Sequence, residues 1–204
     1  MGHEHDKPGA APAAGAAKGG GLLAKLLPAV IVIAVAFYIS DPTKFTAANI
    51  AAFIHSFENE ILIAYLAISA LRGFTLLPST PLVLAGTLLY PNQPWLVLAI
   101  SMAGIFISSS LIYFCSEALG FSDYFERKKP AAVVRIRRRL EHPLGLAFVA
   151  AWAFFPLVPT DAVCYVAGTT KVQFSKFILA VLAGEMILCS LYVFGSNWLI
   201  SNHV

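Results

Sequence analysis

Twice in this chain an apolar stretch is interrupted by Pro-x-x-Pro and then resumes toward Ala-Gly-Thr: "PSTPLVLAGT" at 78–87 and "PLVPTDAVCYVAGT" at 156–169. A proline inside a helix removes a backbone hydrogen bond and clashes with the preceding turn. Each copy therefore ends one helix and begins another, in sequence too apolar to be a surface loop. What such breaks are for depends on the solvent. Only 12% of the 204 residues are charged and 58% are apolar, whereas soluble domains carry about 25% charge. A globule of this length has too little interior to hide so much apolar sequence. The solvent is lipid, and the chain reads as an all-α polytopic membrane protein.

The net charge of +3 does not signal nucleic-acid binding, because seven of the fourteen basic residues fall between Arg127 and Arg139. Cys115, Cys164 and Cys189 sit in apolar runs without a C-x-x-C pattern or a nearby histidine, and read as small hydrophobes. Residues 1–21 are Ala/Gly/Pro low complexity and read as a disordered tail. Asp6 stands where myristoylation needs Ser or Thr. His3, Glu4 and His5 are too isolated to define a metal site.

Residues 22–57 read as an N-terminal transmembrane helix, Leu22–Ile39, followed by an interfacial amphipathic helix. In that second helix Phe45, Ile50, Phe53, Ile54 and Phe57 are expected near one face, lying on the membrane surface. Residues 58–200 form the main membrane domain. Trp95–Leu119 and Phe174–Ile200 are long enough to span, with Trp198 as an interfacial anchor. Between and around them, Ile61–Tyr90 and Pro143–Gly168 are apolar but broken at their prolines.

The basic stretch "ERKKPAAVVRIRRRLEHP" sets the orientation, since short loops rich in Lys and Arg stay in the cytoplasm. Lys7, Lys18 and Lys25 place the N-terminus on the same side. Ile61–Tyr90 must then start and finish outside, and His142–Thr170 must start and finish inside. Neither is long enough to cross twice as full spans. The expected fold is an inverted repeat: two re-entrant helical hairpins entering from opposite faces, each followed by a transmembrane helix. Broken backbone at membrane depth is tolerated where it is buried in protein or lines a cavity, and secondary transporters place their sites at such breaks.

The sequence contains no H-E-x-x-H, G-x-S-x-G, P-loop or intramembrane Gly-x-Asp pattern, so an enzyme is not expected, nor a cofactor or metal. The candidate site residues are ionisable groups in apolar sequence, which are expensive there and mark function. Asp161 lies at the tip of the second hairpin, Arg72 just before the break of the first, and Glu185 in the body of the last helix. Glu58, Glu60 and Glu117 lie nearer the segment ends. Pro78, Pro81, Pro156 and Pro159 shape the two tips. The basic stretch reads as a short amphipathic helix that sets topology and rests on anionic headgroups, or docks a phospholipid or partner.

"FENEILIAYL", "LPSTPLVLAGTLLYP" and "FFPLVPTDAVCYVAGTTKVQFSKFILAVLAGE" resemble the DedA/VTT superfamily, also called SNARE-associated Golgi proteins, over residues 56–200. Glu58-Asn59 matches the family's first acidic site. Its second acidic position falls at Ser79 or Thr80, which carry no carboxylate, and Asp161 offers one in the opposite hairpin. The arginine common three residues before the second hairpin is replaced by Ala153. The resemblance implies a flippase or scramblase of the bacterial inner (plasma) membrane, moving a phospholipid or polyprenyl-phosphate headgroup. Its partners would be membrane lipids and anionic headgroups, not nucleic acid. Glu58, Asp161 and Glu185 would serve as proton or cation sites, with Arg72 meeting the phosphate. The alternative is a structural or assembly protein that keeps the fold without transport.

The expected orientation is directly testable once the native cysteines are changed to serine. Asn92→Cys should react with an impermeant maleimide added outside the cell, and Arg135→Cys or Lys171→Cys should not. The reverse labelling pattern would overturn the arrangement.

Overall fold

The structure, a computed structural model, describes residues 36–75, 78–118, 127–156 and 158–203, with positions 29, 32 and 33 besides. The tail at 1–21 lies outside these residues, and so does most of the expected helix Leu22–Ile39, of which helical backbone is described at 29, 32, 33 and 36–39. Among the described residues all regular structure is helical.

Proline positions set many of the helix boundaries. After a single 3₁₀ turn at Pro42–Phe45 come α1 (Ala47–His55), α2 (Ile61–Leu71), α3 (Thr80–Leu89), α4 (Pro94–Ala118), α5 (Pro130–Glu141), α6 (Pro143–Phe154), α7 (Thr160–Thr169) and α8 (Phe174–His203). Pro94, Pro130 and Pro143 are each the first helical residue, Pro81 is the second of α3, and Pro159 immediately precedes α7. In the first turn the missing N–H has no intrahelical partner to lose, and the fixed φ already suits a helix. The prolines that would destroy a continuous span therefore serve as starting points for shorter helices.

Among the described residues, two helices are long and apolar enough to cross a membrane, within Pro94–Ser116 and Phe174–Ser196. The segments Ile61–Tyr90 and Pro143–Gly168 are not continuous helices. The first breaks at a 3₁₀ turn, Arg72–Thr75, and the second between Phe154 and Thr160. At about 1.5 Å per residue, α2, α3, α6 and α7 are each about 15–18 Å long, roughly half the ~30 Å hydrocarbon core.

Their packing follows a paired pattern. The first arm of each broken segment packs on the long helix that follows it, α2 on α4 and α6 on α8, and each second arm also crosses to the other long helix, α7 to α4 and α3 to α8. The two Ala-Gly-Thr copies lie on the second arms, where the glycines allow close contact. A Cβ on Gly86 would stand 2.3 Å from the Tyr65 hydroxyl, and one on Gly168 would stand 2.3 Å from the Tyr113 carbonyl oxygen of α4. Ile112, Cys164, Ala167, Phe177 and Val181 form the larger core around α4, α7 and α8.

The amphipathic segment is not confined to a surface position. Helix α1 packs against α3, with Ile54 completely buried in a second core with Tyr65, Leu82 and Ile100. Phe53 is 60% exposed and stacks edge-on with exposed Phe57 at 5.5 Å. Phe53 and Ile54 are neighbours, about 100° apart around a helix, so one points outward when the other points in. The chain then bends by 118° into α2.

Gly168→Ala should destabilise the protein by about 1–3 kcal/mol, because the added methyl meets backbone that cannot yield. Gly195→Ala, whose Cβ would meet nothing within 4 Å, should be neutral or up to about 1 kcal/mol stabilising. Thermal unfolding in detergent distinguishes the two, and equal effects would contradict the helix contact described.

Candidate functional site

The two breaks and the two long helices converge on one buried polar cluster. Leaving α2, the chain tightens into the Arg72–Thr75 turn, closed by a hydrogen bond from the Thr75 hydroxyl to the Arg72 carbonyl at 2.6 Å. Next to it, Gly73 lies so close to α4 and α7 that a Cβ would stand 1.9 Å from Ser108 Oγ and 3.0 Å from Asp161 Oδ1. That contact brings Arg72 within reach of the second broken segment. Its guanidinium donates to Asp161 Oδ2 at 3.2 Å, with 8% of one side chain and 2% of the other exposed.

Asp161 is in the first turn of α7, where free N–H groups and the helix dipole favour a carboxylate. One residue earlier, the Thr160 hydroxyl donates to Glu185 Oε1 of α8 at 2.7 Å. Glu185 is fully buried, and its Oε2 takes no hydrogen bond among the described residues. Of the ionisable residues singled out from sequence, Arg72, Asp161 and Glu185 thus belong to one cluster built from four elements. Glu58 does not join it. It is exposed in the turn between α1 and α2, with φ 48°, because the reversal of chain direction there holds it at the edge of the bundle.

Thr160 and Ser108 were not picked out from the sequence. A hydroxyl has little effect on hydropathy, and the signal available was the run Ser108-Ser109-Ser110 in the middle of an otherwise apolar helix. All of Ser101, Ser108, Ser109 and Ser116 are buried along α4. Ser101 shares a hydrogen bond with the Tyr65 hydroxyl at 3.0 Å, beside a cavity of about 10 Å³ also lined by Ser69 and Arg72.

The position of Ala153 leaves no room for the arginine that the family resemblance implies there. Ala153 is fully buried against α8, and a Cβ on Gly184 would stand 2.8 Å from the Ala153 Cβ and 2.1 Å from the Ala150 carbonyl oxygen. An arginine would not fit between these helices. The cation of the cluster comes from the first broken segment, as Arg72.

Arg72 also faces a groove of about 380 Å³, walled mainly by apolar groups that include Phe45, Phe53, Leu71, Pro78 and Pro81, with Lys44 as a second cation. Pro156 and Pro159 flank the other break, and the Pro159 carbonyl lies 3.5 Å from the Trp152 indole nitrogen. No group of three or more His, Cys, Asp or Glu residues that could hold a metal ion is found among the described residues.

Broken apolar helices meeting at buried charges between two potential membrane-spanning helices are the features of an integral membrane protein. Residues 77–197 match the model of the VTT domain, more than half of the chain, which therefore belongs to the DedA/SNARE-associated Golgi family. That family is linked to membrane transport and is not generally enzymatic. The match includes Asp161 and Glu185 and begins just after Arg72. No curated protein and no solved structure matches the chain.

Removing one partner of a buried ion pair leaves the other charge uncompensated, at a cost of about 3–5 kcal/mol. Arg72→Gln should therefore lower stability by about that amount, and adding Asp161→Asn should recover part of it. A single variant that melts with the parent protein in detergent would show the pair contributes nothing.

Proposed function

We propose that this protein moves the headgroup of an anionic lipid, a phospholipid or a polyprenyl phosphate, across the bilayer. The single observation that carries this reading is the double position of Arg72. It lines the apolar groove on one side and pairs with Asp161 on the other. A lipid tail suits the groove walls, and a phosphate is the natural competitor of a carboxylate for a guanidinium. Glu185, one hydroxyl away through Thr160, is a second acceptor close enough to take a proton or cation as Asp161 changes partner.

The exchanged packing of the second arms favours the inverted repeat, with each broken segment dipping into the bilayer and returning to its own side. On that arrangement the basic helix α5 and the N-terminus are cytoplasmic, and the membrane is the bacterial inner membrane. Pro78 and Pro81 belong to the groove wall, while Pro156 and Pro159 set the start of α7 and so the position of Asp161.

The test is reconstitution into vesicles carrying fluorescent anionic lipid in both leaflets, with an impermeant quencher outside. The protein should accelerate loss of the protected inner fraction. Asp161→Asn, which keeps the size of the side chain but removes its charge, should slow this by about tenfold or more, equivalent to about 1.4 kcal/mol on the barrier. Parent vesicles no faster than protein-free ones would favour a structural or assembly role.

A further inference from the structure

Helix α5 lies outside the apolar core, yet it grips the turn joining the two helices that carry the buried carboxylates. Arg137 Nε donates to the carbonyl of Thr170, the residue that ends α7. Glu141 Oε1 accepts from the Gln173 N–H at 3.0 Å, just before α8 begins. Between these two contacts Lys171 has φ 53°, and the Tyr113 hydroxyl of α4 donates to the Val172 carbonyl at 2.6 Å. Val133 is buried and Leu140 packs on the main core. Val133, Arg137, Leu140 and Glu141 are spaced to share one helix face, which is occupied by the bundle.

The other face has no such occupant. Arg135, Arg138 and Arg139 stand at i, i+3 and i+4, so they share a face, and all three are exposed without an acidic partner among the described residues. Val134 and Ile136, 53% and 39% exposed, flank them. The helix lies at the bundle end where α4 finishes and α8 begins, the level of a membrane surface for two spanning helices. Arginines flanked by exposed apolar residues, at headgroup depth, are complementary to anionic lipid.

We infer that the outer face of α5 binds the anionic headgroups of the leaflet beside it, and that this contact tightens the 170–173 turn through Arg137 and Glu141. The helix is then a lipid-responsive latch. With anionic lipid present, the corner between α7 and α8 is held, and with it the spacing of Thr160 and Asp161 from Glu185. With neutral lipid the outer arginines lose their partner and the corner opens more often. The inference does not depend on transport, because opening of the corner is measurable whether or not lipid moves.

The experiment is hydrogen–deuterium exchange on the full chain in vesicles of phosphatidylcholine alone and of phosphatidylcholine with phosphatidylglycerol. Peptides covering the 170–173 turn should exchange about tenfold more slowly with the anionic lipid, within the usual range of coupling between sites. Replacing the three outer arginines (Arg135→Gln, Arg138→Gln, Arg139→Gln) should abolish the lipid dependence. These residues are exposed, so the fold should tolerate the change, and three lysines in their place should keep the response. Arg137→Gln should exchange fast in both lipids. Equal exchange of the parent in the two lipids, a lipid response that survives the three glutamines, or loss of response with the three lysines would each overturn the inference.

Discussion

The Arg72–Asp161 contact is the constraint around which the bundle is arranged. In lipid neither charge can be buried alone without a large desolvation penalty, and the attraction between them offsets it only if they enter together. The pair joins the break of the first apolar segment to the start of the helix that resumes the second. Its geometry requires Gly73, since any larger residue would push the turn off Ser108 and Asp161. It also requires α7 to lie against α4, which glycine at 168 makes possible. Two local features, each awkward for a membrane helix, become one neutral and hydrogen-bonded unit.

The packing explains how the cluster can do without an arginine at 153. Helices α6 and α8 meet through Ala150, Ala153 and Gly184 at the residue just before Glu185. Their closeness leaves Glu185 to be met from α7, by Thr160, and leaves the positive charge to come from the first broken segment. Cation and carboxylates are thus contributed by different halves of the chain.

Much of this was legible in the sequence because lipid makes its signals strong. Proline in an apolar run marks a helix end wherever it stands, so the bounds of α4 and the outer ends of the two broken segments were close to those expected. A charge in such a run has few reasons to be there, which is why Arg72, Asp161 and Glu185 stood out. Weaker signals were missed for physical reasons. Thr160 and Ser108 are neutral, and Arg137 and Glu141 were indistinguishable from the solvated charges around them, since only the fold shows which face meets the turn at 170–173. Glu58 stood out as part of a local pattern with Asn59, but pattern does not fix depth, and the turn leaves it exposed. The 1–21 tail and most of the first expected helix lie outside the described residues.

The interlocked arms also impose an order on the making of this protein. Arg72 and Asp161 are separated by 89 positions, and at usual rates of synthesis the first waits about 5–20 seconds for the second. Helix α3 waits longer still for α8, which begins at Phe174. During that interval the first broken segment carries a guanidinium without its Asp161 partner and an arm without its final neighbour. The packing of the first half is therefore completed only once α7 and α8 have been made.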